Sequence, residues 1–96
     1  MVAVRRVVLD VLKPHEPPLP AFTERITGVE SVAGTTVSLV EQDKEVQTVK
    51  VTLEGESVAY DDVEATVEEL GATVHSIDEV SCGEYVVEER ATFQDA

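Results

Sequence analysis

The sequence predicts an α+β sandwich, a four-stranded antiparallel sheet with two helices on one face. Three observations carry that prediction. Apolar and other residues alternate through Val7, Leu9 and Val11, and again through Val49, Val51 and Leu53, the period of a strand. Leu19, Phe22 and Ile26, then Val63, Val67 and Leu70, recur at helical spacing. The chain also divides into two strand–helix–strand halves, with Gly28 and Gly71 at matching places after each helix.

The first strand spans Ala3 to Lys13, with Val7, Leu9 and Val11 facing the helices. Its other face carries Arg6, Val8, Asp10 and Leu12. Two apolar residues there predict a face that is partly covered. Pro14, Pro17, Pro18 and Pro20 stop the strand, because proline cannot donate to a ladder. Proline suits a first helical turn, so a short helix runs from Pro18 to Thr27, with Gly28 at its end. A second strand lies within Val29–Gln42, best defined over Thr36–Glu41. A polar turn, Gln42–Glu45, leads to a third strand that Gly55 breaks.

The second helix begins near Tyr60, with Asp61, Asp62 and Glu64 opposing the positive end of its dipole. Gly71 ends it. Thr73–Val80 is the fourth strand, with a bulge expected around Asp78 and Glu79, because His75, Ile77 and Glu79 cannot all be core residues. Ser81–Gly83 turns the chain into a short extra edge strand, Glu84–Arg90. Residues 1–90 form one domain, and 91–96 read as a frayed tail. Two such halves interlock into the ferredoxin-like βαββαβ arrangement, with the first and third strands central and the fourth antiparallel beside the first.

The surface chemistry excludes several partners. Asp and Glu number 20 against 7 Lys and Arg, a formal charge of −13 in 96 residues. Such a surface repels itself at ordinary ionic strength, and molar salt screens the repulsion. Dispersed acid therefore reads as adaptation to a salt-filled cytoplasm. No Lys/Arg patch exists to neutralise a phosphate backbone, which excludes nucleic acid. No long apolar run or leader pattern points to a membrane. The single cysteine, Cys82, cannot form an internal bridge and reads as a bystander in a reducing, cytoplasmic setting. Only two Phe, two Tyr and no Trp stand among the many valines, so the core is thin and burial against copies of the chain is expected.

Two stretches concentrate titratable side chains. In the predicted topology the end of the first strand meets the start of the fourth, so His15 and Glu16 approach His75. Imidazole and carboxylate suit a divalent metal, which makes His15, Glu16 and His75 the candidate ligands. The competing reading is that the histidines bond backbone groups at the bend. Asp10, expected near Asp78 and Glu79, suggests a hard-cation site. The alternative there is an acidic patch neutralised by Arg6, Lys50 or a neighbouring subunit. Paired carboxylates also suit acid–base chemistry, but no nucleophile or phosphate loop accompanies them. No catalytic residue and no organic cofactor are predicted.

The stretches Leu9–Pro17 (LDVLKPHEP) and His75–Val80 (HSIDEV), with Glu68–Gly71 (EELG) closing the second helix, resemble the signatures of a small archaeal family, domain of unknown function 211. The resemblance covers nearly the whole chain and includes Asp10, His15, Glu16, His75, Asp78 and Glu79. It implies a ferredoxin-like fold, a homo-oligomeric and ring-like assembly, and no established activity. The acidic surface fits a haloarchaeal member. The expected function is a homo-oligomeric structural or regulatory module without catalysis. The alternative is a small-ligand or divalent-metal sensor, with a site between strands one and four or between subunits.

Overall fold

The computed structural model describes residues 2–88. Its elements run β1 (Val4–Pro14), α1 (Leu19–Thr27), β2 (Gly34–Gln42), β3 (Val46–Glu54), α2 (Tyr60–Glu69) and β4 (Thr73–Cys82). The strands lie in the order β2-β3-β1-β4, and every neighbouring pair is antiparallel. Both helices pack on one face, giving the ferredoxin-like sandwich.

The core follows the alternation of the two central strands. Val7, Leu9 and Val11 of β1 and Val49, Val51 and Leu53 of β3 are buried beneath Phe22 and Ile26 of α1 and Val63 and Val67 of α2. Leu9 pairs with Val51 and Val11 with Val49 in register, so their side chains share one face. Val32 and Val58, in the loops that enter β2 and α2, plug the end of this core. The second strand starts at Gly34 instead of Val29, because Val32 turns inward with its N–H bonded to the Val29 carbonyl.

The two helix-ending glycines differ. Gly71 has φ +83°, and its N–H bonds to Glu68 O while that of Ala72 reaches Val67 O. This paired pattern needs a left-handed residue, which glycine adopts without Cβ strain. Gly28 instead caps α1 in the ordinary helical region, at φ −71°. Gly55, after β3, is required for space: a Cβ there would collide with the Ser31 carbonyl oxygen.

The fourth strand carries the largest irregularity. Val8 pairs with Glu79 and Leu9 with Ile77, which leaves Asp78 as an extra residue. Asp10 pairs with Ser76 and Val11 with Val74, which leaves His75 as another. The bulge expected near Asp78 is present, and a second interrupts the ladder at His75. Ile77 and Val80 pair with Leu9 and Val7, yet they remain 49% and 53% exposed. The helices therefore leave this part of β4 uncovered.

The extra edge strand expected at Glu84–Arg90 is not formed over its described part. Gly83, at φ +112°, turns the chain away from β4, and residues 84–88 adopt no strand. Glu88 bonds Arg6 of β1 instead, which draws the segment over the open face of the sheet. Residues 89–90, and the tail expected at 91–96, lie outside the described residues.

Candidate functional site

The proline bend after β1 is held from inside by Lys13. In the β1 alternation Lys13 falls in phase with Val7, Leu9 and Val11, and it is completely buried. Its ammonium lies 2.9 Å from Pro14 O, 2.9 Å from Gln47 Oε1 and 3.5 Å from His15 O. It also stands 5.6 Å from the centre of the Phe22 ring, within cation–π range. Burial pushes the Lys13 pKa below its ordinary value, and Glu16 opposes that shift in part. A buried charge is tolerated only when its donors are satisfied. Here the donors go to the bend and to β3, which ties the two together.

His15 makes a second tie to the same side. Its Nε2 lies 2.8 Å from the Asp43 carbonyl oxygen, in the turn between β2 and β3. A carbonyl only accepts, so Nε2 donates. The Asp43 carboxylate accepts from the backbone N–H groups of Glu45 and Val46, each at 2.9 Å. These two bonds hold its pKa below the usual 3.8, with a smaller contribution from His15. Asp43 thus favours the folded state above its unfolded pKa, and that contribution is lost as pH falls through the depressed folded value. Asp43→Asn is expected to flatten the acid limb of the stability–pH curve below about pH 4. Chemical denaturation of both proteins across that range is the check, and parallel curves would contradict it.

The register explains why His15 turns toward β3. Lys13 and Pro14 still pair with Gln47 and Val46 of β3, whereas β4 begins at Thr73 opposite Leu12. Beyond Leu12 the bend has a strand on one side only. His75 lies in the opposite direction, at the bulge between the partners of Asp10 and Val11. The expected approach of His15 and Glu16 to His75 is corrected accordingly: the strand geometry separates them by on the order of 10 Å or more. Among the described residues no group of three or more His, Cys, Asp or Glu is placed to hold a metal ion.

The acidic candidates are placed as follows. Asp10 lies on the open face, between Lys50 of β3 and Ser76 of β4 in register. Asp78 accepts a 2.7 Å hydrogen bond from Ser76 Oγ across its own bulge. Glu79 lies 3.6 Å from Arg6 Nη1. Of the three candidates in the fourth strand, His75 and Asp78 leave the ladder, whereas Glu79 stays in it opposite Val8.

Arg6 is the hub of the open face. Its Nη1 reaches Glu88 at 3.3 Å, and its Nε lies 3.2 Å from Glu54 Oε2 without hydrogen-bond alignment. The Glu88 bond raises the guanidinium pKa most, burial opposes it, and Glu54 and Glu79 add to the rise. Beside Arg6 a cleft of about 670 Å³ opens between β1, β4 and the C-terminal segment, with Val8 and Val87 among its walls. Val8 is only 7% exposed, the covered open face expected from sequence. Lys13 and Arg6 were not singled out by motif. The period-2 pattern marks Lys13 through its shared face with Leu9 and Val11, whereas nothing local marks Arg6, whose partners come from β3, β4 and the C-terminal segment.

The comparison that decides the relationship covers residues 5–96, which match the model of the DUF211 family, described as uncharacterized ArCR. The chain belongs to the DUF211 family. This archaeal DUF211 chain is also 43% identical over 95 residues to the uncharacterized protein MJ0319 of Methanocaldococcus jannaschii, across 99% of this chain and 98% of that protein. Among the described residues no helix of the DUF211 chain is long and apolar enough to cross a membrane.

Proposed function

We propose that the protein is a non-catalytic structural or regulatory module that assembles with copies of itself through its sheet edges. The observation that carries this reading is the apolar surface on both outer strands. On β2, Leu39 is 43% and Val40 63% exposed; on β4, Ile77 and Val80 are comparably open. Both strands have a neighbour on one side only among the described residues. They also run in opposite directions, so β4 of one copy beside β2 of the next would continue the antiparallel alternation. Such a head-to-tail contact closes into a ring when its rotation permits. The bulges on β4 divide its ladder, so side-chain burial contributes more to the contact than a long run of backbone bonds.

The test is the double variant Ile77→Lys and Val80→Lys. These side chains are exposed in a single copy, so the fold is expected to survive with little change in stability. Buried at an interface, each unpaired lysine costs several kcal/mol. Light scattering is therefore expected to show a multi-subunit parent and a single-chain variant. An unchanged subunit count would contradict the edge assignment.

The same reading places the protein in a reducing, salt-rich cytoplasm, of the kind a haloarchaeal member occupies. The −13 formal charge and the lone thiol support it. Molar KCl shortens the screening length to about 3 Å and is expected to raise the melting temperature well above its low-salt value. Equal melting temperatures in both conditions would contradict the salt adaptation.

A second reading is favoured by the cleft between β1 and β4, whose volume is in the range of small-ligand sites. It makes the protein a small-ligand sensor. A divalent-metal version through His15, Glu16 and His75 would need residues from a second copy.

A further inference from the structure

We propose that the cleft between β1, β4 and the C-terminal segment takes a small organic cation with an apolar body. The proposal rests on the second reading above and is independent of assembly. The cleft combines three surfaces. Val8 on β1 and Val87 of the C-terminal segment supply apolar contact. Thr52 and Ser81 supply hydroxyls that donate or accept. Glu79 and Glu88 supply charge, and both also hold Arg6.

Charge selects the ligand class. Arg6 meets three carboxylates, from Glu54, Glu79 and Glu88. Of these, Glu79 and Glu88 line the cleft beside Arg6, and one positive against two negative charges leaves the site negative, within a protein of formal charge −13. An anion is repelled at the cleft and on approach. A bare metal ion finds no group of three ligating side chains among the described residues. The guanidinium already occupies the point where the carboxylates converge, which further disfavours compact ion binding. An ammonium on an apolar chain avoids both problems. Its charge shares the outer oxygens of Glu79 and Glu88, which are 47% and 65% exposed, while its chain lies between Val8 and Val87.

This arrangement also couples binding to the C-terminal segment. Glu88 bonds Arg6, so an ammonium that draws on Glu88 competes with Arg6 for the same carboxylate. The segment is then repositioned over the open face by the ligand.

The experiment is an NMR titration of the full chain with n-hexylammonium, with n-hexanol and n-hexanoate as neutral and anionic probes of the same length, at constant ionic strength in KCl. Saturable shifts confined to Val8, Thr52, Val80, Ser81 and Val87 are expected with hexylammonium. Its affinity is expected to exceed that of hexanoate by about tenfold or more, the effect of little over one kilocalorie of differential charge interaction. Glu79→Gln and Glu88→Gln are each expected to weaken hexylammonium by about threefold to fivefold, the range of exposed ion pairs. Glu79→Gln retains the parent spectrum elsewhere, whereas Glu88→Gln also loses the bond that draws the C-terminal segment over the sheet, so Glu79→Gln decides the charge contribution. Equal binding of hexanol or hexanoate at these residues would overturn the cation assignment while leaving a ligand cleft. Shifts that spread over the acidic surface without saturation, or no shifts, would overturn the site itself.

Discussion

Phe22→Ala is expected to remove about 3–5 kcal/mol of folding stability, the cost of emptying an aromatic core position. Small domains possess only about 5–15 kcal/mol in total, so the variant should sit close to unfolding. Phe22, on the nine-residue helix α1, is completely buried and belongs to the same core cluster as the inward residues of both central strands. The protein has only two phenylalanines, and its remaining core is built largely of valine, whose short side chains cannot reach into the space vacated. Removing the ring also removes the face against which the Lys13 ammonium stands. Urea denaturation at fixed salt is the check. A loss below about 1 kcal/mol would mean that α1 does not seal the core as described.

Lys13→Ala is the second large effect, expected at about 2–4 kcal/mol, from lost packing of the stem and from buried polar groups left without partners. The Pro14 carbonyl and the Gln47 amide oxygen lose a donor together. Lys13→Met separates the two contributions, because it keeps the stem and removes the donor. The pH dependence supplies an independent sign. Burial lowers the folded pKa of Lys13 below its ordinary 10.5, so between the two values the unfolded chain holds the proton and the folded chain has lost it. Stability from this group therefore rises as pH climbs toward 10.5. Tyr60, raised by burial and then by Glu64, Asp61 and Glu68, acts in the opposite sense at high pH. Comparing the parent with Lys13→Met isolates the lysine. The alkaline rise should be present in the parent and absent in the variant, and identical slopes would contradict a buried, charged Lys13.

The element order was legible because both central strands keep their period. Each inward residue of β1 and β3 falls where alternation puts it, and the helices follow from Phe22/Ile26 and Val63/Val67. What was not legible depends on contacts distant in sequence. Gly83 and Arg6 turn the C-terminal segment over the sheet, although its composition alone suits an edge strand. His15 bonds to Asp43, twenty-eight positions away, because β4 ends its pairing with β1 before the bend begins. The bulge at Asp78 left a trace in the alternation, which cannot hold His75, Ile77 and Glu79 inward at once. That at His75 left none, because His, Ser and Ile read equally well on either face of an edge strand. The burial of Lys13 was readable from phase, but its compensation by Gln47 was not, since that pairing requires the β1–β3 register.

Self-assembly through the uncovered margins of the sheet is the claim on which the functional account turns. Native mass spectrometry of the purified protein, sprayed from a volatile high-salt buffer, addresses it without any mutation. The account predicts a dominant species whose mass is a whole multiple of the chain mass. A dominant single-chain species at every protein concentration would contradict it.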